Sequence, residues 1–316
     1  MNKIPSVDLR DFLSDDPARK QKFVNEIGKA YEEIGFVALK GHFLDEKLVE
    51  ELYSEVKGFF DLPVESKSKY EIEGIGGQRG YVGFGKETAK GFKKADLKEF
   101  WHFGQYLEED SKYKSEYPDN VNVEESEKFN EVGKQAFKML EKTGKYVLRA
   151  LAIYLGLDEF YFDQYIGEGN SILRALHYPP ITEEPDDAVR AAAHGDINLI
   201  TLLMGAQGRG LQVQNHKGEW IDAIAEPDEL MINVGDMLSR HTNNKLKSTI
   251  HRVVNPEKEN WGKSRYSIPF FMHPVSEMSL NALEGTYDEK NPKLYPDATA
   301  GEFLHERLVE LGLVKK

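Results

Sequence analysis

The second half of the chain is dominated by short β-type runs that are separated by turn residues. Apolar and β-branched residues concentrate in these runs, and Lys217-Gly218 and Asn243-Asn244 mark turns between them. The runs cover residues 172–178, 199–204, 211–213, 230–234, 248–254 and 266–271. Many short strands joined by regular turns indicate a sandwich, a jelly roll or a barrel. The sequence therefore predicts a mixed α/β protein with a mainly β core.

The rest of the chain has helical periodicity. Apolar residues recur every three or four positions in four segments, which are residues 17–34, 48–60, 124–155 and 300–311. A short strand is predicted over 35–39, and the glycine-rich segment 74–85 is predicted to be a loop. The pattern predicts helices packed outside a β core, in one compact body.

Composition excludes several functional classes. The formal net charge of −13 opposes binding to nucleic acid or to an anionic membrane, because phosphate is repelled. With no cysteine, the chain has no disulfide, thiol nucleophile or cysteine-held metal site. It has neither an N-terminal signal core nor an apolar run of membrane-spanning length, so a soluble, cytoplasmic protein is expected. Any metal must be bound by histidine, carboxylate or water.

A His-x-Asp pair is the first candidate for chemistry. His194 and Asp196 are two residues apart beside a predicted strand, and in extended chain such side chains project to the same face. His251 lies 55 positions after Asp196, in another predicted strand. Two histidines and one carboxylate can form the facial triad of mononuclear non-haem iron(II) enzymes. Structural histidines are the competing interpretation.

A second candidate follows on the last predicted strand. Arg265 and Ser267 are two residues apart, so both face the same side of that strand. A buried guanidinium needs an anionic partner, and its planar shape suits a carboxylate. The pair is therefore a candidate site for the distal carboxylate of a diacid that chelates iron. An internal ion pair is the alternative.

Ordered motifs along nearly the whole chain match those of a known family. They are residues 4–9, 35–36, 59–63, 80–81, 96–99, 173–174, 178–180, 194–196, 210–213, 233–236, 242–243, 247–248, 251–253 and 265–271. In these motifs the chain resembles the isopenicillin N synthase-like family of iron(II)/2-oxoglutarate-dependent oxygenases. The resemblance implies a double-stranded β-helix (jelly roll) with helices outside. It implies an N-terminal non-haem dioxygenase segment over 1–120 and an oxygenase region over 121–316, with its core at about 168–276.

The resemblance also implies the roles of the candidate residues. His194, Asp196 and His251 would bind Fe(II), Arg265 and Ser267 the far carboxylate of 2-oxoglutarate, and Tyr178 its near end. With O2, such an enzyme hydroxylates an unactivated C–H bond of a small molecule, such as an amino acid, a small peptide or a secondary metabolite, and releases succinate and CO2.

Three alternatives remain open at this stage. The first is an oxidase or cyclase of the isopenicillin N synthase type, which does not use 2-oxoglutarate. The second is a metal-dependent isomerase or dioxygenase of the cupin type, and the third is a jelly-roll binding module without activity. The substrate and the oligomeric state are not determined by the sequence.

Four further residues attract attention. Arg79, Phe103 and Phe271 are candidate substrate contacts. The competing interpretation is a solvated loop charge for Arg79 and core packing for the two phenylalanines. His241 is predicted to be an exposed loop histidine.

Overall fold

The computed structural model describes residues 3–86, 97–182, 189–204 and 210–310. The helices are α1 (Leu9–Phe12), α2 (Pro17–Glu33), α3 (Glu46–Phe60), α4 (Val64–Ser68), α5 (Glu127–Tyr154), α6 (Asp236–His241) and α7 (Ala300–Glu310). The strands are β1 (Ser6–Asp8), β2 (Phe36–Lys40), β3 (Gly80–Val82), β4 (Glu99–Gly104), β5 (Ile172–Tyr178), β6 (Ala191–His194), β7 (Ile200–Met204), β8 (Leu211–Gln214), β9 (Trp220–Asp222), β10 (Leu230–Val234), β11 (His251–Val253) and β12 (Arg265–Met272).

The strands form two sheets. The larger sheet has the order β1-β2-β10-β7-β12-β5-β4-β3, and the smaller has the order β6-β11-β8-β9. Strands from the first 104 residues extend the larger sheet at both ends, because β2 pairs with β10 and β4 pairs with β5. The ring of Phe36 on β2 lies 5.6 Å from that of His251 on β11, so the two sheets meet around this histidine.

One face of the larger sheet is covered by helices. Alternate residues of β12, including Ile268 and Phe270, point into this helical layer and are completely buried. Phe270 packs edge-on against Phe137 of α5, with ring centroids 4.9 Å apart. Since successive side chains of a strand point to opposite faces, Arg265 and Ser267 point to the other side, toward the smaller sheet. The predicted alternation on this strand therefore sets the direction of the candidate site residues.

Most predicted elements are confirmed. The two predicted strands 172–178 and 230–234 match β5 and β10 at both ends, and the four long helical segments match α2, α3, α5 and α7 to within a few residues. Residue 311 of the last segment and residue 96 of the family motif lie outside the described residues. The predicted strand 248–254 is too long, because only His251–Val253 pair with neighbours.

The remaining differences concern short or fully buried strands. Residues 80–82 form β3 within the segment predicted as a loop, and β4 is buried on both faces, so its sequence lacks alternation. The strand β6 is alanine-rich and has no β-branched residue. These strands have little local pattern and form because a neighbouring strand pairs with them.

Among the described residues, no helix combines the length and apolar character needed to span a membrane.

Candidate active site and metal centre

Three potential metal ligands converge where the smaller sheet faces the larger one. His194 ends β6 and His251 begins β11, and the two residues are direct partners in the antiparallel ladder. Asp196 follows in the turn after β6, with its Oδ1 3.9 Å from Nε2 of His194 and 3.7 Å from Nε2 of His251. One ligand atom from each residue lies within 4.8 Å of the others. The predicted combination of two histidines and one carboxylate is therefore present in space as well as in sequence.

Hydrogen bonds orient the two imidazoles. Nδ1 of His194 lies 2.7 Å from the carbonyl oxygen of Ala192, and Nδ1 of His251 lies 3.1 Å from that of Thr249. A carbonyl oxygen only accepts, so each Nδ1 carries the proton and donates. Both Nε2 atoms then present a lone pair toward Asp196. This is the arrangement by which backbone carbonyls commonly hold metal-binding histidines.

The carboxylate of Asp196 is oriented in the same way. The hydroxyl of Thr201 donates to Oδ2 at 2.7 Å, and the amide nitrogen of Asn233 donates to the same oxygen at 2.8 Å. These bonds leave Oδ1 directed at the two histidines. Thr201 and Asn233 were not predicted as site residues, although each is a lone polar residue within an otherwise apolar buried strand.

Electrostatics favour the forms of these side chains that bind metal. Burial alone raises the pKa of Asp196, but His251, His194 and the two hydrogen bonds outweigh it, so the net shift is downward. Desolvation by the surrounding protein lowers the pKa of His194, although its side chain is 43% exposed, and the neighbouring His251 lowers the pKa further. Asp196 is therefore ionised and His194 neutral at pH 7. This set of two nitrogen donors and one anionic oxygen fits Fe(II) and leaves coordination positions for other ligands.

The candidate cosubstrate residues also converge. Arg265 is only 2% exposed and is the direct ladder partner of Tyr178 on β5. Its guanidinium carbon lies 5.1 Å from the centroid of the Tyr178 ring, and its Nε and Nη1 have no hydrogen-bond partner among the described residues. Ser267 is also buried, two residues further along the same face. These donors are available to a carboxylate.

One predicted role of Tyr178 is corrected by this geometry. The sequence resemblance implied a contact at the near end of 2-oxoglutarate, away from Arg265. The ring of Tyr178 instead packs against the Arg265 guanidinium, because the two residues are paired across β5 and β12. Tyr178 therefore lies beside Arg265, the candidate residue for the far carboxylate.

The candidate substrate residues separate into different environments. Phe271 is partly exposed on the same face of β12 as Arg265, and its ring lies 5.4 Å from the guanidinium of Arg174. Phe103 points into the helical layer instead, where its ring is 5.1 Å from that of Phe129 and covers Gly133 of α5. The prediction that Phe103 contacts substrate is wrong, because its side chain lies on the opposite face of β4 from the site.

The alternative interpretation of Arg79 and the prediction for His241 are also wrong. Arg79 is not a solvated charge: it is completely buried, donates to the carbonyl oxygen of Gln78 and to Oδ1 of Asn170, and packs against Gly104. Its proposed contact with a substrate carboxylate stays a prediction. His241 is 2% exposed, at the end of α6 rather than in an open loop.

An N-terminal and a C-terminal segment of the chain each match a known protein family. Residues 4–125 match the family described as non-haem dioxygenase in morphine synthesis N-terminal, and residues 169–274 match the 2OG-Fe(II) oxygenase superfamily. A 2-oxoglutarate-Fe(II) type oxidoreductase, hxnY of Emericella nidulans, is 30% identical over 312 residues, which cover 95% of this chain and 88% of hxnY.

Solved structures of similar proteins superpose on this chain along almost its full length. A 2OG-Fe(II) oxygenase family protein from Caulobacter crescentus is 42% identical with a TM-score of 0.89, covering 98% of this chain and 100% of that one. A full-length Neurospora crassa protein, solved in complex with alpha-KG and thymine, is 30% identical with a TM-score of 0.85, covering 97% and 96%. These similarities confirm the predicted jelly-roll core.

Proposed function

The chain belongs to the 2OG-Fe(II) oxygenase superfamily, and we propose that His194, Asp196 and His251 bind the iron on which its activity depends. It is an iron(II)- and 2-oxoglutarate-dependent dioxygenase. The observation that carries the ligand assignment is the convergence of one oxygen and two nitrogen atoms within 4.8 Å. The carbonyl oxygens behind the two imidazoles and the donors to Asp196 support it, because they direct these atoms at one point.

Bound iron would activate O2 with two electrons from 2-oxoglutarate, so that one oxygen atom enters succinate, formed with CO2, and the other enters the substrate as a hydroxyl group. The protein's own residues hold the reactants in place. Asp196 and the two histidines would hold the metal and leave coordination positions for other ligands. Arg265 and Ser267 would donate hydrogen bonds to the far carboxylate of 2-oxoglutarate, and the Tyr178 ring packs against the guanidinium. Asp196, His251 and Arg265 are buried, which excludes water from them and strengthens their charge interactions, whereas His194 is exposed.

We propose that the substrate is a small molecule, such as an amino acid, a small peptide or a secondary metabolite, and not a nucleic acid. The net charge of −13 supports this, because it repels polyanions. The solved structures of the Neurospora crassa protein with thymine and of JOX2 with JA are small-molecule complexes of similar proteins. The position of Phe271 on the face of β12 that carries Arg265 supports a contact with this substrate. The division into a segment 1–120 and a region 121–316 stays a prediction.

The metal assignment is tested with Asp196→Ala. Anaerobic titration of the metal-free protein with Fe(II) should give one bound ion per chain, and 2-oxoglutarate should then produce a visible metal-to-ligand charge-transfer absorption. The variant should lose tight Fe(II) binding and this absorption. Asp222→Ala, at an exposed carboxylate on β9, is the matched control and should behave like the unmodified protein. Unchanged Fe(II) affinity in Asp196→Ala would remove Asp196 from the metal centre.

The cosubstrate assignment is tested with Arg265→Ala. This variant should weaken 2-oxoglutarate binding by about 10- to 100-fold while Fe(II) binding is retained, because only the far carboxylate loses its partner. Arg240→Ala is the control, since Arg240 is a buried arginine of α6 that donates to the carbonyl oxygen of Pro296. Equal effects of the two substitutions on 2-oxoglutarate binding would contradict the role of Arg265.

A further inference from the structure

Two buried arginines, not one, face the ring of Tyr178. The guanidinium carbon of Arg265 lies 5.1 Å from the ring centroid, and that of Arg190 lies 5.7 Å from it. Arg190 is only 4% exposed and directly precedes β6. Arg190 is not part of any motif that identified the candidate site. No sequence motif connects it to the other candidate residues.

We propose that Arg190 is a second guanidinium of the 2-oxoglutarate site, and that it binds the far carboxylate of the cosubstrate together with Arg265. This inference rests on the proposed function and deepens it. It makes the site selective for a 2-oxo acid with a second carboxylate.

Unsatisfied hydrogen-bond donors are the first argument. Among the described residues, Nε of Arg190 has no partner, and its Nη2 makes only a long bond of 3.4 Å to the carbonyl oxygen of Lys263. Arg265 likewise has no partner for Nε and Nη1. Leaving charged donors unpaired in a buried site is costly. A carboxylate has two oxygens with about four acceptor positions, enough for donors from both guanidinium groups.

Charge is the second argument. Within the described ranges, neither arginine has a salt bridge to an aspartate or glutamate. Burial, and then repulsion from Arg265, lower the pKa of Arg190 to about 10, so Arg190 is still charged at pH 7. Two buried like charges beside one tyrosine repel each other and have lost much of their hydration. An anion between the two guanidinium groups attracts both of them and offsets their mutual repulsion.

Position in the fold is the third argument. Arg190 directly precedes β6, the strand that ends at the proposed metal ligand His194, and its guanidinium faces the ring of Tyr178. Arg265 lies opposite Tyr178 at the end of the β5–β12 ladder. A diacid with one end at the iron ligands and the other at Tyr178 therefore has Arg190 beside its far end.

The experiment compares two 2-oxo acids of the same carbon number. The iron(II)-loaded protein is titrated without oxygen with 2-oxoglutarate and, separately, with 2-oxopentanoate, which lacks the second carboxylate. Each Kd is measured from the charge-transfer absorption. In Arg190→Ala we expect the Kd for 2-oxoglutarate to rise about 10- to 100-fold and the Kd for 2-oxopentanoate to stay within about twofold. Arg190→Lys, which keeps the charge and loses the planar fork, should lie between.

A structural role would give a different result. If Arg190 only supports the backbone at Lys263, its removal should weaken both 2-oxo acids alike, or neither, and either result overturns the proposal. Arg240→Ala, the matched buried arginine, should change neither Kd. If Arg190→Ala does not fold, Arg190→Lys and Arg190→Gln provide the same comparison.

The proposed function can fail separately. If Arg265→Ala loses the preference for 2-oxoglutarate while Arg190→Ala keeps it, the function stands and the inference about Arg190 fails. If the unmodified protein itself shows no preference for 2-oxoglutarate over 2-oxopentanoate, the assigned cosubstrate site fails and the inference fails with it.

Discussion

The hydroxyl of Thr201 donates a 2.7 Å hydrogen bond to Oδ2 of Asp196, the carboxylate oxygen that points away from the two histidines. Both residues are buried, and Asn233 donates to the same oxygen. One oxygen of the carboxylate is thus held by protein donors while the other faces the proposed metal position. The ligand is oriented before any metal binds.

Replacing this hydroxyl should weaken iron binding without unfolding the protein. Thr201→Val keeps the shape of the side chain and removes one hydrogen-bond donor to Asp196. We expect the Kd for Fe(II) to rise about tenfold, because loss of a residue that orients a metal ligand typically weakens metal binding by about 10- to 100-fold. Anaerobic Fe(II) titration measures it. Thr143→Val, at a buried threonine of α5 that donates to the carbonyl oxygen of Met139, is the control. An iron affinity equal to that of the control would refute the orienting role.

A buried histidine should make the protein sensitive to acid. Nδ1 of His241 lies 2.8 Å from the carbonyl oxygen of Asn281, and the hydroxyl of Tyr161 lies 2.9 Å from Nε2. Burial lowers the pKa of His241 to about 4, below the 6.5 of an unperturbed histidine. The unfolded chain therefore takes up a proton first as the pH falls below about 6.5, and the folded state loses stability from there down to about pH 4.

The size of this effect follows from the pKa difference. Between pH 7 and pH 5 it amounts to about 2 kcal/mol of the free energy of unfolding from His241. His241→Gln keeps a hydrogen-bond donor and acceptor but does not titrate. Its free energy of unfolding should therefore fall by about 2 kcal/mol less than that of the unmodified protein between pH 7 and pH 5. Urea unfolding at the two pH values measures the difference. A variant as acid-sensitive as the unmodified protein would show that another group is responsible.

Two helical glycines should respond to alanine in opposite ways. A Cβ at Gly133 of α5 would lie 2.3 Å from the ring of Phe103, whereas a Cβ at Gly58 of α3 would meet nothing within 4 Å. Gly133→Ala should lower the free energy of unfolding by about 1–2 kcal/mol, because overpacking outweighs the gain in helix propensity. Gly58→Ala should raise it by about 0.5–1 kcal/mol. Denaturant titration measures both changes in the free energy of unfolding. Stabilisation by Gly133→Ala would contradict the prediction and would mean that α5 can move away from the sheet.

The position of Phe103 in the helical layer predicts a stability effect without a binding effect. Phe103→Ala should cost about 3–5 kcal/mol of the free energy of unfolding, since it removes a buried aromatic side chain. In the folded fraction, the Kd values for Fe(II) and 2-oxoglutarate should be unchanged. Phe271→Ala should cost less stability, because that ring is partly exposed. A selective loss of 2-oxoglutarate binding in Phe103→Ala would contradict the assignment to the helical layer.

Local sequence patterns were enough to predict most elements and the residue types of the centre, and the resemblance to a known family predicted the class of protein. Strand alternation and helical periodicity are local properties, so strands such as β5 and β10 and helices such as α5 were predictable. Spacings of two residues within one strand, as for Arg265 and Ser267, also depend only on local geometry. The pair of His194 and Asp196 was visible for the same reason.

The meeting of distant residues could be learned only from the folded chain. His194 and His251 are ladder partners although they lie 57 positions apart in the chain. The donors to Asp196, the second arginine beside Tyr178 and the burial of His241 all depend on contacts between segments far apart in the chain. The face of Phe103 was not predictable either, because β4 is buried on both sides and each side carries both aromatic and polar residues, so its sequence does not distinguish them. Long-range packing, which has no local sequence pattern, determines these features.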